Sequence, residues 1–407
     1  MENLVKETIV TLKKGEGRTI KAGGAWIYDN EIETIAGSFK NGDIVKVADF
    51  DGYPMGAGFI NQNSKIRIRM LTRNRESIVT EEFLYNRVKT AWDYRKTVMP
   101  ECDLNCCRVI FGEADWLPGL TVDKYDDVLV VECLALGMEP LKEFIINSLK
   151  EILKHDGFEI RGVYERSDAP VRKKEGLTTH KGFIGPEFDT NVEIIENGIH
   201  YMVDVVNGQK TGFFLDQKYN RLAMHRICRG KKVLDCFTHM GTFALNAGIA
   251  GAESVTALDI SEFAVAQATE NARRNNLSDR VKFRAANVLD ELPKLYADGE
   301  SYDVVILDPP AFTKSREATK NAIKGYREIN MKGLKLVRDG GYLATCSCSH
   351  FMTQELFTEV IGHAAKAVHK RLRQVEFRTQ SCDHPILWAA DESYYLKFYI
   401  FQVTEEK

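Results

Sequence analysis

The sequence predicts an α/β protein with a small β-barrel-like domain, a central α+β domain and a C-terminal doubly wound sheet. Period-2 alternation marks about the first 75 residues, and mixed helix and strand patterns follow to about residue 190. Regular strand–helix alternation fills the rest. At 407 residues the chain is longer than one ordinary hydrophobic core supports. We therefore expect domains at 1–75, 76–190 and 191–407.

The N-terminal strands are predicted at TIVTL, DIVKVAD, GAGFI and KIRIRML, with glycines between them. The last of these places Lys65, Arg67 and Arg69 on one face of a strand, and Arg73 and Arg75 follow. Such a strip suits contact with RNA phosphates. It equally suits a solvated edge strand that is kept charged against aggregation. The residues alone leave both interpretations open.

The central part contains the helical patterns EEFLYNRVKTAWDYRKTV and LKEFIINSLKEILKHD, and the strand patterns DVLVVECLAL and RGVYERSD. The C-terminal strands are KKVLDCF, SVTALDI, VKFRAAN, YDVVILD and GYLATCS, followed by a basic stretch, HKRLRQVEFRTQ, and a hydrophobic run, YYLKFYIFQV. Ser261 is the expected N-cap of the helix after SVTALDI, with Glu262 in its first turn. This alternation predicts a parallel sheet.

Composition narrows the class of protein. A formal charge of −3 gives no overall basic excess, so any nucleic-acid contact needs a local patch. The N-terminus lacks an apolar signal region, and no run of about 18 apolar residues is present. The lack of such an apolar run predicts that no segment spans a membrane. Nine cysteines, an odd number, in a large chain without a secretion signal indicate reduced thiols and a cytoplasmic location. Cys102, Cys106 and Cys107 lack the CxxC pairs and histidines of a metal site, so no metal is expected.

Polar residues at the strand ends predict a cofactor site. Asp235 ends the first strand of the parallel sheet, and Gly241 lies at the turn into the next helix. This loop lacks the GxGxxG that cradles a pyrophosphate, so a cofactor without phosphate, such as S-adenosylmethionine, suits it. Asp259 is placed to bind ribose hydroxyls, and Asn287 to reach an adenine amino group. Each alone is also typical of a residue that merely closes a strand.

The fourth strand of this sheet ends in Asp308-Pro309-Pro310-Ala311-Phe312. The prolines stop the strand and present the residues on either side. A planar base stacks on Phe312 in this interpretation, while Asp308 contacts its polar edge. The alternative is a strand terminator with incidental aromatic packing.

The fifth strand ends in TCSCS, which places Cys346 and Cys348 on one face. Methylation at carbon 5 of cytosine needs a thiolate that adds to carbon 6, because carbon 5 is not nucleophilic otherwise. Spacing cannot choose between the two cysteines. Cys348 lies nearer the carboxyl end of the strand, where such sheets bind ligands, so we favour it as the nucleophile with Cys346 packing behind it.

Several stretches resemble a known family. They are GEADWLPGLTVDKY (112–125), ERSDAPVRKKEGL (165–177), NGQKTGFFLDQKYNR (207–221), LDCFTHMGTFAL, LDPPAF, TCSCS, DHP and YYLK. Over essentially its full length the chain resembles the bacterial class I, PUA-containing 23S ribosomal RNA cytosine-C5 methyltransferases.

The resemblance implies a PUA RNA-binding barrel, a central domain and a Rossmann-like methyltransferase domain that uses S-adenosylmethionine. It also implies a homodimer and a role in rRNA processing. The rRNA target is expected to be single-stranded or easily opened, because carbon 6 must be reached from the face of the base. The cofactor pocket is implied to include Gln209, Lys210, Phe214, Asp216 and Gln217, and we also assign Phe237 and Asp308 to it. The RNA-contacting residues are expected to be Arg67, Arg69, Arg172, Pro309, Pro310 and Phe312, with further basic strips at 172–174 and 370–373.

One departure concerns the DPP loop. The better-known RNA cytosine-C5 methyltransferases carry a second cysteine there, where this chain has Ala311 and Phe312. The base that removes the carbon 5 proton is therefore not assigned; Asp308 is a candidate, although holding the cytosine suits it better.

Two other functions fit parts of the pattern. A DPP-aromatic loop is shared with methyltransferases that act on the exocyclic amino groups of adenine (N6) or guanine (N2). Such an enzyme needs no thiol and should survive Cys348→Ser. A ribosome-assembly protein that binds RNA and has lost catalysis is the second alternative, and it has no reason to bind S-adenosylmethionine.

Overall fold

The computed structural model describes residues 2–313, 317–388 and 390–405. The chain forms two compact units, and each takes several segments. The first unit holds Met1–Ile194, Val203–Leu215 and Cys382–Ser393, and the second holds Ile195–Met202, Asp216–Ser381 and Tyr394–Lys407. The predicted boundary near residue 190 is close to the end of the first segment. The sequence did not predict that segments 203–215 and 382–393 also belong to the first unit.

The N-terminal part of the first unit is a strand domain. Its elements are β1 (Val5–Leu12), α1 (Arg18–Ala22), β2 (Trp26–Tyr28), β3 (Ile32–Ala36), β4 (Ile44–Ala48), β5 (Pro54–Ile60) and β6 (Ile66–Thr72). The strands form one sheet in the order β2-β6-β5-β4-β1-β3. Ile68 and Met70 of β6 are buried in its core with Val10 and Leu12, as the period-2 pattern predicts.

The central part of the first unit is built on a second sheet. Its elements are α2 (Glu81–Val98), β7 (Cys106–Phe111), β8 (Leu120–Tyr125), β9 (Val128–Cys133), α3 (Lys142–His155), β10 (Gly162–Ser167) and β11 (His180–Phe183). The strand order is β11-β10-β9-β8-β7. Thr80 caps α2 by accepting a hydrogen bond from the amide of Phe83. The helix buries Leu84, Val88 and Trp92, so both predicted helices of this region are confirmed.

A hairpin follows, made of β12 (Asn191–Glu196) and β13 (Ile199–Asp204). The second unit then contains α4 (Lys218–Ala223), α5 (His225–Cys228), β14 (Lys232–Cys236), α6 (Thr242–Ile249), β15 (Ser254–Asp259), α7 (Glu262–Arg274), β16 (Val281–Ala285), α8 (Val288–Ala297), β17 (Tyr302–Leu307), α9 (Thr319–Leu336), β18 (Val337–Ser347), α10 (Gln354–Ala367), β19 (Lys370–Arg378) and β20 (Lys397–Glu405).

The seven strands β14–β20 form one sheet in the order β16-β15-β14-β17-β18-β20-β19. The first five of these are parallel, whereas β20 is antiparallel to both β18 and β19. The predicted α/β architecture is therefore confirmed, and the basic stretch at residue 370 forms the edge strand β19. Strand order reverses between β14 and β17, so the crevice for a ligand is expected at their carboxyl ends.

Within the described residues, no helix combines the length and the apolar character that a bilayer crossing requires. The same part of the chain contains no group of three or more His, Cys, Asp or Glu side chains arranged around a metal-sized space.

Candidate active site

The turn after β14 has an unusual backbone. Phe237, His239 and Gly241 have φ angles of 65°, 51° and 86°, all in the left-handed region that non-glycine residues seldom adopt. A Cβ on Gly241 would lie 2.9 Å from the ring of Phe283, so this position requires glycine on two grounds. Strained backbone of this kind is concentrated at ligand sites. The turn leads directly into α6.

Two carboxyl groups fix this turn. Thr238 Oγ1 donates to Asp235 Oδ2 at 2.5 Å, and the His239 amide donates to Asp259 Oδ2 at 2.9 Å. Asp235 is fully buried, and burial raises the pKa of its carboxyl to about 8, with Asp308 and Asp259 adding to the rise. Asp259 is half-buried, and its Oδ1 accepts from the Ser261 amide at 2.9 Å. The structure thus brings together three of the predicted acidic residues.

Ser261 caps α7, since its hydroxyl accepts from the Ala264 amide at 3.2 Å, which confirms the predicted cap. Between Asp259 and this cap lies Ile260, which is 72% exposed. Ile260 was not predicted as a site residue, because in the pattern SVTALDI it is only the last apolar residue of a strand. An exposed apolar side chain beside a carboxylate provides both surfaces that a nucleoside needs, one for its base and one for its ribose.

Asn287 has a different local role from the predicted one. Its Oδ1 accepts from the Leu289 amide at 3.1 Å and caps α8, while its Nδ2 donates to Asp290 Oδ2 at 2.8 Å. The amide is exposed. Contact with an adenine amino group stays a prediction.

Asp308 follows β17 and is half-buried. Gln217 Nε2 donates to Asp308 Oδ1 at 3.1 Å, and Asn220 Nδ2 donates to Gln217 Oε1 at 2.7 Å. Asp216 accepts from the hydroxyl of Tyr395 at 2.8 Å. Gln217, which the family resemblance places in the cofactor pocket, is therefore hydrogen-bonded to the DPP loop, and Asp216 is its neighbour in the chain.

The two candidate nucleophiles differ in their surroundings. Cys346 is fully buried, and burial raises the pKa of its thiol well above the ordinary value, with Asp308 adding to the rise. Cys348 lies just past the end of β18 and is half-exposed. A buried thiol with a raised pKa is inert, so this contrast favours Cys348.

The aromatic residue of the DPP loop packs inward. The ring of Phe312 meets that of Tyr326 edge to face at 4.7 Å, and it lies against Gly325 of α9. Pro309 is buried, whereas Pro310 is exposed. Phe312 packs against the core around Tyr326 and is only partly buried, so it retains some exposed surface. Its stacking on a base stays a prediction.

Lys397 was missed as a functional candidate, although YYLK drew attention in the family resemblance. It is the first residue of β20 and pairs with Ser347 across the sheet. Its Nζ donates to the carbonyl oxygens of Ser349 at 2.6 Å and Tyr395 at 2.9 Å. No local pattern signals its burial, because that burial results from the pairing of β18 with β20.

Other predicted cofactor residues lie in the first unit. Lys210 has a φ of 54°, and its Nζ lies 4.4 Å from the centre of the Phe214 ring. Gln209 accepts a turn hydrogen bond from the Gly212 amide at 2.8 Å. Next to them, buried Thr211 donates to Asp123 at 2.5 Å, which fixes this loop on the central sheet.

The phosphate-contacting role predicted for Arg69 and Arg172 is wrong. Arg69 pairs with Glu113 at 2.9 Å and Glu175 at 3.0 Å, and its side chain is only 12% exposed. Arg172 is 2% exposed, pairs with Glu139 and donates to main-chain carbonyl groups. Both guanidinium groups hold the first unit together. Arg67 is half-exposed and donates to the Asn61 carbonyl oxygen at 3.2 Å, so it stays a candidate.

Comparison with known proteins gives two domain matches. Residues 10–73 match the PUA-like domain, and residues 180–386 match the S-adenosylmethionine-dependent methyltransferase family. "Ribosomal RNA large subunit methyltransferase I" of Shewanella frigidimarina is 38% identical over 397 residues, which is 97% of this chain and 99% of that protein. The protein of the same name from Alteromonas mediterranea is 35% identical and covers 98% of this chain and 99% of its own length.

Solved structures show the same fold. A SAM-dependent methyltransferase structure from Streptococcus mutans matches with a TM-score of 0.80 and 19% identity, covering 97% of this chain and 99% of that one. A second methyltransferase structure with the same scores is complexed with SAH. At this identity the likeness concerns the fold alone.

The strand-end residues fit S-adenosylmethionine. The carboxylate oxygens of Asp259 each accept one backbone N–H and retain capacity for ribose hydroxyls. Ile260 provides an apolar face beside them. The turn at Gly241 carries no glycine-rich phosphate cradle, and this cofactor has no phosphate to bind.

Proposed function

The chain belongs to the family of S-adenosylmethionine-dependent methyltransferases, and we propose that it methylates carbon 5 of a cytosine in large-subunit ribosomal RNA. The names of the relatives support large-subunit RNA as the substrate, and the PUA-like match supports RNA binding. The single observation that carries the carbon 5 assignment is the half-exposed Cys348 at the carboxyl end of β18. A methyltransferase acting on an amino group needs no thiol there.

In this proposal Cys348 acts as the nucleophile. Its thiolate adds to carbon 6 of the cytosine, which gives carbon 5 the character of an enamine. When bound, S-adenosylmethionine supplies the electrophilic methyl group that carbon 5 accepts. Loss of the carbon 5 proton then allows the C–S bond to break and returns the thiolate. Because carbon 6 is reached from the face of the base, the target must be single-stranded or open.

The remaining residues have holding roles in the proposal. Asp259 binds the ribose hydroxyls of the cofactor, and the exposed Ile260 packs against its adenine. Asp308, fixed by Gln217, holds the amino edge of the cytosine. The exposed part of the Phe312 ring and Pro310 contact the base. The buried pair Asp235 and Thr238 shapes the turn that receives the methionine part.

Further residues complete the proposed site. Asp216, Asn287 and the turn residues Phe237 and Gly241 line the cofactor side. The cofactor contacts that the family resemblance implies for Gln209, Lys210 and Phe214 stay predictions. The homodimer and a cytoplasmic location stay predictions.

The test is to incubate the purified protein with methyl-labelled S-adenosylmethionine and unmodified ribosomal RNA, then digest the RNA and identify the labelled nucleoside. We expect 5-methylcytidine from the large-subunit RNA. Label in an amino-methylated adenosine or guanosine would contradict the thiol mechanism. Ribosomal particles at several stages of assembly should be tested beside naked RNA, and absence of label from all of them would contradict the proposal.

Two matched variants separate the cysteines. Cys348→Ser should abolish methylation, whereas Cys346→Ser should retain most of it, because Cys346 is fully buried. Binding of SAH, measured by calorimetry, should be unchanged in both variants. The reverse pattern of activity would assign the nucleophile to Cys346.

A further inference from the structure

Lys397 is a buried lysine. Its residue is 1% exposed, and its Nζ is fixed by two carbonyl oxygens, those of Ser349 at 2.6 Å and Tyr395 at 2.9 Å. The ring of Tyr394 lies 5.5 Å from the same nitrogen. Ser349 is the residue that follows Cys348, so the ammonium group is held at the main chain of the residue next to the candidate nucleophile.

This lysine has no carboxylate within ion-pair distance among residues 2–313, 317–388 and 390–405. An ammonium group in such a place is costly unless an opposite charge or hydrogen bonds compensate for it. Burial accordingly lowers the pKa of Lys397 to about 8, and the charge that acts in the opposite direction is that of Cys348.

We propose that Lys397 is a positioning residue that ionises Cys348 by accepting its proton and holding the resulting thiolate beside the ammonium group. The S–H bond of Cys348 breaks, a third N–H bond forms on the amine of Lys397, and no other reactant is needed. When the thiolate is released from the methylated base, the pair returns to its starting state. The inference rests on the proposed function only in taking Cys348 as the nucleophile.

The neighbouring groups do not offer a better proton acceptor. Burial raises the pKa values of Cys346, which lies on the same strand, and Tyr326, which reaches across from α9, so both stay neutral near pH 7. The pKa of Tyr394 is raised to about 12 by burial, with Glu355 adding to the rise. Asp308 adds to the raised pKa values of Cys346 and Tyr326, an effect that opposes thiolate formation in this region.

The test measures ionisation of the Cys348 thiol directly, in the full chain and without RNA. The rate of alkylation by iodoacetamide is followed from pH 5 to pH 10, and the Cys348 peptide is quantified by mass spectrometry. Cys102, which is exposed, serves as the internal reference. The midpoint pH of Cys348 alkylation should be about one unit higher in Lys397→Met than in the original protein. At pH 7 the variant should therefore be alkylated roughly tenfold more slowly. Lys397→Arg keeps the charge and should restore a midpoint close to that of the original protein.

An unchanged midpoint in Lys397→Met, with SAH binding retained, would overturn the inference. If that variant does not fold, the unaltered protein decides the question, because a Cys348 midpoint at or above about 8.5, the value of a free thiol, would also overturn it. The two proposals fail separately. If the unaltered protein forms 5-methylcytidine but Lys397→Met leaves the Cys348 midpoint unchanged, only the role of Lys397 is contradicted. If the Cys348 midpoint of the unaltered protein lies below that of a free thiol but no 5-methylcytidine forms, only the proposed reaction is contradicted.

Discussion

Asp235 should make the stability of the second unit depend on pH. Its carboxyl is fully buried with a pKa of about 8 in the fold, against 3.8 in an exposed carboxyl. The folded state therefore binds this proton more tightly than the unfolded state. The contribution of the protonated Asp235 carboxyl to the free energy of unfolding is therefore fully present below about pH 4. It is lost as the pH rises towards 8.

The magnitude follows from the shift of about four pKa units, and one unit corresponds to about 1.4 kcal/mol. The full penalty is about 6 kcal/mol above pH 8, of which about 3 kcal/mol is already present at pH 6. Asp235→Asn keeps the shape of the side chain and carries no charge. Relative to this variant, the original protein should lose up to about 3 kcal/mol between pH 6 and pH 8.5.

The assay is thermal unfolding of the ligand-free protein at pH 6 and pH 8.5, following the transition of the second unit. A change of 1 kcal/mol corresponds to about 2–4 °C in a unit of this size. The Tm of Asp235→Asn minus that of the original protein should thus grow by several degrees between the two pH values. Asp298→Asn, at an exposed position, should follow the original protein. An equal difference at both pH values would refute the reasoning.

Three further predictions concern glycine geometry and buried arginines. Gly241→Ala should lower the free energy of unfolding by about 2 kcal/mol or more and weaken SAH binding in calorimetry. The φ of this residue is 86°, and the added Cβ would lie 2.9 Å from the ring of Phe283. Gly230→Ala, with a φ of 66° and nothing within 4 Å, is the control and should cost only about 1 kcal/mol. Arg221→Met leaves Glu196 buried and unpaired and should lower the free energy of unfolding in urea by about 3–5 kcal/mol. The double variant Arg221→Met/Glu196→Leu should recover most of that loss, and an equal loss in the single and double variants would contradict the ion-pair account. Arg69→Met should destabilise the first unit by about 2–3 kcal/mol and leave the RNA affinity of the folded protein within twofold, and a large loss of affinity alone would restore the phosphate-contact hypothesis.

Local patterns were sufficient for much of the fold. The helix predicted at 81–98 has those bounds in the structure, since its apolar spacing and the cap at Thr80 are both local signals. The cap at Ser261 was likewise predictable from the residues around it. Parallel strands ending near Asp235, Asp259 and Asp308 also predicted that these three side chains lie close together, because the carboxyl ends of such strands meet at one edge.

Long-range pairing accounts for what the sequence did not reveal. The strand face of Arg69 was predicted correctly, but its partners Glu113 and Glu175 are 44 and 106 residues away, and no local pattern joins them. The spacing of Cys346 and Cys348 could not rank the two thiols, whereas their burial does. The burial of Lys397 needs β18 and β20 to pair, which is a property of the whole sheet.

The division of the first unit into three segments has a consequence for how the protein is made on the ribosome. The backbone amide of Arg108 donates to Asp383 Oδ2 at 2.8 Å, and Arg95 Nη2 donates to the Asp383 carbonyl oxygen at 2.8 Å, both within that unit. Arg95 and Asp383 are completely buried. Their partner segment, 382–393, is translated after nearly all of the second unit. Arg95 therefore lacks this acceptor until translation is almost complete. The first unit cannot be completed before most of the second unit has been synthesised, which departs from the usual N-to-C order of co-translational folding.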